Sequence, residues 1–208
     1  MAVSQNGYPA NNVSLTHVKK VPGANRELRV RKGPAGDLLI WVAAQFHKRV
    51  EKIDVGQLDD WGYAERPIRG SQVLSNHASG TAIDLNATKH PLGASGTFSA
   101  AQVREIRKIL KEAQGCVRWG GDYIGRKDEM HFEIVASEAA CRKALQKVGK
   151  TTPDWWDTVD DKKFVSLVRK AMTEGFQIKK LTDGKKTDLR VLVQWIHKHV
   201  TDIKGRMD

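Results

Sequence analysis

The sequence predicts an α+β fold: a small antiparallel sheet with helices packed on one side and a cleft on the other, followed by a C-terminal helical appendage. Apolar residues recur at helical spacing from Asp37, Ser99 and Ser137 onward. Strand-like runs lie at residues 28–31, 81–86 and 130–135. A stretch of linker composition at 149–154 separates these elements from two further amphipathic patterns.

Residues 1 to about 34 are rich in Gly, Pro and Asn and read as an ordered lead-in with one short alternating strand, Leu28-Arg29-Val30-Arg31. Leu38, Leu39, Val42, Ala43, Phe46 and Val50 then form the buried stripe of a helix, with Lys48, Arg49 and Lys52 on its other side. Gly80 offers a turn, after which a strand would aim Ile83 and Leu85 at the core and Ala82, Asp84 and Asn86 away from it. Ser99 and Gln102 form a capping-box pair with Phe98 and Val103 as a hydrophobic staple, which starts a second helix with the stripe Val103, Ile106 and Leu110. In the run 130–135, Met130, Phe132 and Ile134 share one face while His131 and Glu133 share the other, and a third helix spans 137 to about 148. Beyond the linker, Phe164, Leu167, Val168 and Met172 make one stripe of a helical hairpin and Leu189, Leu192, Val193, Ile196 and Val200 the other, joined through Asp183-Gly184. The expected plan is a domain at 1–148, a linker at 149–160 and a helical region at 161–208.

A chain of 208 residues with 40% hydrophobic and 28% charged residues has globular proportions, which excludes wholesale disorder and fibrous repeats. Lys and Arg outnumber Asp and Glu by 35 to 24, a net charge of +11 that favours polyanionic partners: nucleic acid, acidic lipid or anionic cell-wall polymer. Residues 151–208 hold 12 Lys or Arg against 9 Asp or Glu, so the excess belongs mainly to the first part. No basic, apolar-cored leader opens the sequence and no apolar run approaches the roughly 20 residues of a membrane span, so a soluble cytoplasmic product is expected. Cys116 and Cys141 are too few and too far apart for a Cys-based metal site and read as small buried apolar residues.

Two clusters carry chemistry. The first runs from Ser75 through His77 and Gly80 to Asp84; the second holds Asp128, Glu129, His131 and Glu133, preceded by Trp119-Gly120-Gly121-Asp122. Two neutral imidazoles and a carboxylate suit Zn²⁺, with ligand distances of about 2.0–2.2 Å and a fourth position left for water. A carboxylate beside that water is needed to take its proton and pass it to a leaving amine. Asp128, three residues before His131, reaches the same place if the chain bends; Glu129 tends to point away. Taken singly, each of these residues is as well explained as a hydrogen-bonded or solvated structural group, and His90 reads as structural or surface.

The pattern Ser75-x-His77-x-x-Gly80-x-Ala82-x-Asp84 followed by Asp128-x-x-His131-Phe132-Glu133 resembles the M15 family of zinc peptidases, over roughly residues 1–136. That family includes D-alanyl-D-alanine carboxypeptidases and dipeptidases and the L-alanyl-D-glutamate endopeptidases of bacteria and phages. The resemblance implies a Hedgehog/DD-peptidase-like fold, zinc held by His77, Asp84 and His131, and Asp128 as general base. Asp rather than Glu at position 128 is similar to the endopeptidase type of phage lysins, with Glu129 as the spare candidate. The stretch 66–71 looks like the family's Arg-bearing segment, which makes Arg66 or Arg69 the clamp for a substrate carboxylate, with Ser75 also beside the substrate and Trp119 either a wall for it or a core residue.

The expected activity is therefore that of a phage-type endolysin cutting the L-alanyl-D-glutamate bond of peptidoglycan stem peptides. It would act as a monomer made in the host cytoplasm and released to the cell wall. A D-alanyl-D-alanine carboxypeptidase or dipeptidase is the alternative within the same chemistry. A non-catalytic basic module binding cell wall or nucleic acid is the alternative outside it, and it leaves the His77, Asp84, Asp128 and His131 set without a purpose. For the C-terminal helices, wall binding stands beside a structural role for Trp155, Trp156 and Trp195.

Overall fold

The computed structural model describes residues 2–151. The expected helical hairpin, its three tryptophans and nearly all of the expected linker lie outside the described residues. After a 3₁₀ turn at Val13–Leu15 comes an antiparallel pair, β1 (Thr16–Lys20) and β2 (Glu27–Arg31). β2 matches the expected strand, and β1 is an addition.

α1 (Pro34–Arg49) begins three residues before Asp37, because Pro34 is pre-set for the first helical turn. Leu38, Leu39, Val42, Ala43 and Phe46 are all buried, as their spacing predicts. The start of α1 is capped from far along the chain: the Ala35 amide donates to Glu138 Oε2 at 3.0 Å. Glu138 opens α3 (Glu138–Thr151), which packs on α1 and buries Cys141, Ala144 and Val148. Cys116 and Cys141 are both buried and free, in line with their reading as small core residues.

α2 (Ala100–Glu112) has the full capping box, with the Gln102 amide donating to Ser99 Oγ at 3.3 Å and the Ser99 amide to Gln102 Oε1 at 2.9 Å. Ile106 and Ile109 are its buried residues, while Val103 and Leu110 are partly buried against the core.

The second sheet has three short strands, β3 (Ala82–Asp84), β4 (Val117–Trp119) and β5 (His131–Ile134), in the antiparallel order β3-β5-β4. Its register aligns Ile83 with Phe132 and Trp119, and Val117 with Ile134. Strand alternation therefore puts these five residues on one face. That face meets α1, where Phe46 sits edge-on to Phe132 at 5.7 Å and to Phe98 at 5.9 Å. The other face carries Ala82, Asp84, His131, Glu133 and Arg118. The expected strand at 81–86 is thus shorter than its pattern suggested: Asn86 turns to φ 50°, and its side-chain Nδ2 donates to Glu51 Oε2 and the Lys52 carbonyl.

The fold is a small α+β domain with three helices and two small antiparallel sheets among the described residues. No described helix is long and apolar enough to cross a membrane.

Candidate metal centre and cleft

His77 and Asp84 lie an odd number of residues apart, and the chain resolves the parity with a turn. Residues Asn76–Ser79 form a single 3₁₀ turn whose start is capped by Ser75 Oγ, which accepts the His77 amide at 3.3 Å. Gly80 ends the turn at φ 70°, and a Cβ there would lie 2.7 Å from the Arg31 backbone nitrogen, so both conformation and space require glycine. The reversal brings His77 over the face that holds Asp84 and His131.

Three ligand-type atoms converge. His77 Nε2 lies 3.3 Å from Asp84 Oδ1 and 3.2 Å from His131 Nδ1, and the last two are 2.8 Å apart. All three residues are buried, and together they could hold a metal ion. A tetrahedral zinc with bonds of about 2.0–2.1 Å spaces its ligand atoms about 3.3 Å apart, which two edges of this triangle match, while the His131–Asp84 edge of 2.8 Å would open slightly around an ion. The imidazoles also present the right nitrogens. The Gly62 carbonyl accepts from His77 Nδ1 at 2.6 Å, which leaves Nε2 bare toward the cluster.

Electrostatics point to a cation at the same place. Burial favours neutral groups here, yet His131 is pushed up to about 10 by the carboxylates of Asp84 and Glu133. Asp84, against the same effect of burial, is held well below the usual carboxylate range by His77 and His131. The cluster needs a positive charge, which a proton or a metal ion can supply.

Asp128 is brought to the triad by the bend that the sequence required: its amide donates to the Gly120 carbonyl at 3.1 Å and its carbonyl accepts the His131 amide at 3.1 Å. A Cβ on Gly120 would lie 2.3 Å from the Asp128 carbonyl oxygen, so only glycine lets the two strands of this bend approach. Asp128 Oδ1 is buried without a protein partner, and burial, reinforced by Asp84, pushes the carboxyl up to about 6. Glu129 does point away, as expected. Its oxygens accept the amides of Gly96 at 2.7 Å and Thr97 at 2.8 Å, so it ties a loop and is not a spare base.

His77, Asp128 and His131 line a cleft of about 790 Å³. One rim is built at the β3 edge, where Trp61 pairs with Asp84 through two backbone hydrogen bonds of 2.9 and 3.1 Å. Its ring stacks on His77 at 5.7 Å, and the Arg66 guanidinium lies over that ring at 5.3 Å with a buried, unpartnered Nε. Arg66 and Arg69 both line the cleft, Arg69 as an exposed side chain. Ser75 lines it too, though its hydroxyl is spent on the turn cap. The other rim, at the β4 edge, carries Arg118, Tyr123 and Arg126.

Trp119 does not border the cleft. It is 2% exposed, donates its indole N–H to the Glu129 carbonyl at 2.7 Å and packs on Phe98 at 5.9 Å. Alternation along β4 decides between wall and core, since Arg118 faces the cleft and its neighbour must face the core. Trp61, Tyr123, Arg118 and Glu133 are cleft residues to which the sequence gave no role. Alternation could have found Arg118, and Glu133 shares its face with His131. His90 is structural, as expected: it is buried, bonded to Thr97 Oγ1 at 2.7 Å and Glu51 Oε2 at 2.9 Å, and stacked on Phe98.

Residues 69–134 match a family model described as D-alanyl-D-alanine carboxypeptidase, within the M15 peptidases. The match supports the M15 peptidase family and a metallopeptidase type of enzyme, and its span contains the triad and Asp128. No curated protein and no solved structure shows a significant match to the chain.

Proposed function

We propose that the protein is a zinc-dependent peptidoglycan peptidase of the phage endolysin type, which hydrolyses the L-alanyl-D-glutamate bond of stem peptides. The observation that carries the reading is the buried His77–Asp84–His131 triangle at the floor of a cleft, with an unpartnered Asp128 carboxylate oxygen beside it. His77 through Nε2, Asp84 through Oδ1 and His131 through Nδ1 would hold the ion. Bound zinc supplies Lewis-acid polarisation of the scissile carbonyl and lowers the pKa of water.

The chain's own groups perform the remaining work. Asp128 takes a proton from the attacking water and returns it to the leaving amine, a role that its position in a half-buried site suits. The Arg66 guanidinium, backed by Trp61 and with its Nε free, is the better clamp for a substrate carboxylate than the exposed Arg69. Rims at both sheet edges support a peptide that continues on either side of the cut bond. The net charge of +11 supports anionic cell-wall polymers as partners, and wall binding is the corresponding role for residues 161–208.

A second reading, D-alanyl-D-alanine carboxypeptidase, is favoured by the description of the matching family model. Mass analysis of purified walls digested with and without a chelator separates the two. New N-terminal D-glutamate that disappears with chelator is the expected result. Released D-alanine alone would select the carboxypeptidase, and equal digestion with chelator would sink the zinc mechanism.

A further inference from the structure

Glu133 lies at the centre of the cleft face, 2% exposed on the middle strand β5. Its Oε1 accepts Arg118 Nε at 2.9 Å, Arg118 Nη2 at 2.5 Å and the Tyr123 hydroxyl at 2.6 Å. Its Oε2 accepts Asn76 Nδ2 at 2.5 Å and lies 3.4 Å from His131 Nε2. Across the ladder its partner is Ala82, too short to compete for the same space.

A buried carboxylate is costly unless its lone pairs are satisfied, and here both oxygens are. The partners come from four places: the turn before β3, β4, the stretch after residues 120–122, and β5 itself. Together they fix both oxygens, so the carboxylate cannot rotate. An ionised carboxylate only accepts, and therefore the ring nitrogen facing it must carry the hydrogen. The opposite nitrogen of the same ring, Nδ1, is the one that faces Asp84 and His77.

We propose that Glu133 is a positioning residue: held by Arg118, Tyr123 and Asn76, it keeps the proton of His131 on Nε2 and leaves Nδ1 bare for the metal. The proposal rests on the metal reading above and adds a requirement to it. A glutamine at this position reverses the polarity. With its carbonyl kept by Arg118 and Tyr123, its amide group faces His131 Nε2 as a donor and drives the proton to Nδ1.

The test compares zinc affinity, by chelator competition, in full-length wild type, Glu133→Gln and Glu133→Asp, with thermal unfolding of each metal-free form as a control. Glu133→Gln is expected to weaken zinc by about 10–100-fold, the range for loss of an outer-shell partner, with Glu133→Asp restoring part of it. Equal affinity in wild type and a folded Glu133→Gln variant would overturn the positioning role. Should that variant not fold, ¹⁵N spectra of the zinc-loaded wild type decide. A proton on His131 Nε2 with Nδ1 on the metal supports the proposal, and a proton on Nδ1 refutes it. Wild type that takes up no zinc overturns the metal reading and this proposal together. Because the readout is zinc, normal zinc binding without wall hydrolysis counts against the peptidase assignment alone.

Discussion

The two faces of the β3-β5-β4 sheet are built from the same ten residues of strand, and all of them except Arg118 are buried. Phe132 on one face is 1% exposed; Asp84 on the other is also 1% exposed. Their energetics nevertheless oppose each other. The face of Ile83, Phe132, Ile134, Val117 and Trp119 gains from removal of apolar surface, which needs no particular angle and no ligand. The face of Asp84, His131, Glu133 and Arg118 loses hydration that only directional partners can replace. One face holds the fold together, and the other is a cost the fold carries for its chemistry.

Three substitutions test that division. The largest effect is expected for Asp128→Asn, which leaves the triad intact and removes the base. Peptide-bond hydrolysis should fall by about 10²–10⁴-fold in kcat with zinc content unchanged, measured on purified walls with metal analysis alongside. On the opposite face, Phe132→Ala should destabilise the domain by about 3–5 kcal/mol in denaturant unfolding, with or without zinc. A smaller loss that depended on zinc would mean that the two faces are not separable. For Asp84→Ala the telling quantity is the difference between zinc and chelator. Wild type should gain about 2.7 kcal/mol when zinc is a hundredfold above its dissociation constant, and the variant should gain nothing.

Much of this division was legible in the sequence, because strand parity and helical spacing are local. The stripe of α1, the capping box of α2, and the opposite faces of Phe132 and His131 follow from residues within a few positions of one another. β1 escaped because its pattern is inverted: Thr16 is buried while Val18 is 47% exposed, so hydrophobic alternation points the wrong way. Its strand exists by pairing with β2. The resemblance leaves Trp119 open between cleft wall and core, and what decides it is the packing around it: Gly121 lets the chain pass the Trp119 ring, where a Cβ would come within 2.2 Å. Trp61 and the partners of Glu133 were out of reach for another reason. Trp61 meets Asp84 across 23 positions of chain and Asn76 meets Glu133 across 57, and nothing local encodes either pairing.

The strap from Trp61 to Arg66 has a consequence for how such a protein can change. Gly62 fixes one ligand's ring, Trp61 stacks on that same ring, and Arg66 rests on Trp61. On the proposed function, selectivity and metal affinity would therefore be inherited together along this strap. A lineage, or an engineer, seeking a new substrate gains little freedom there, since any residue that re-aims Arg66 also disturbs His77. The rim at the half-buried Ile68 and the exposed Arg69 lines the same cleft away from this strap, and it is where new specificities can be tried at the lowest risk to the triad.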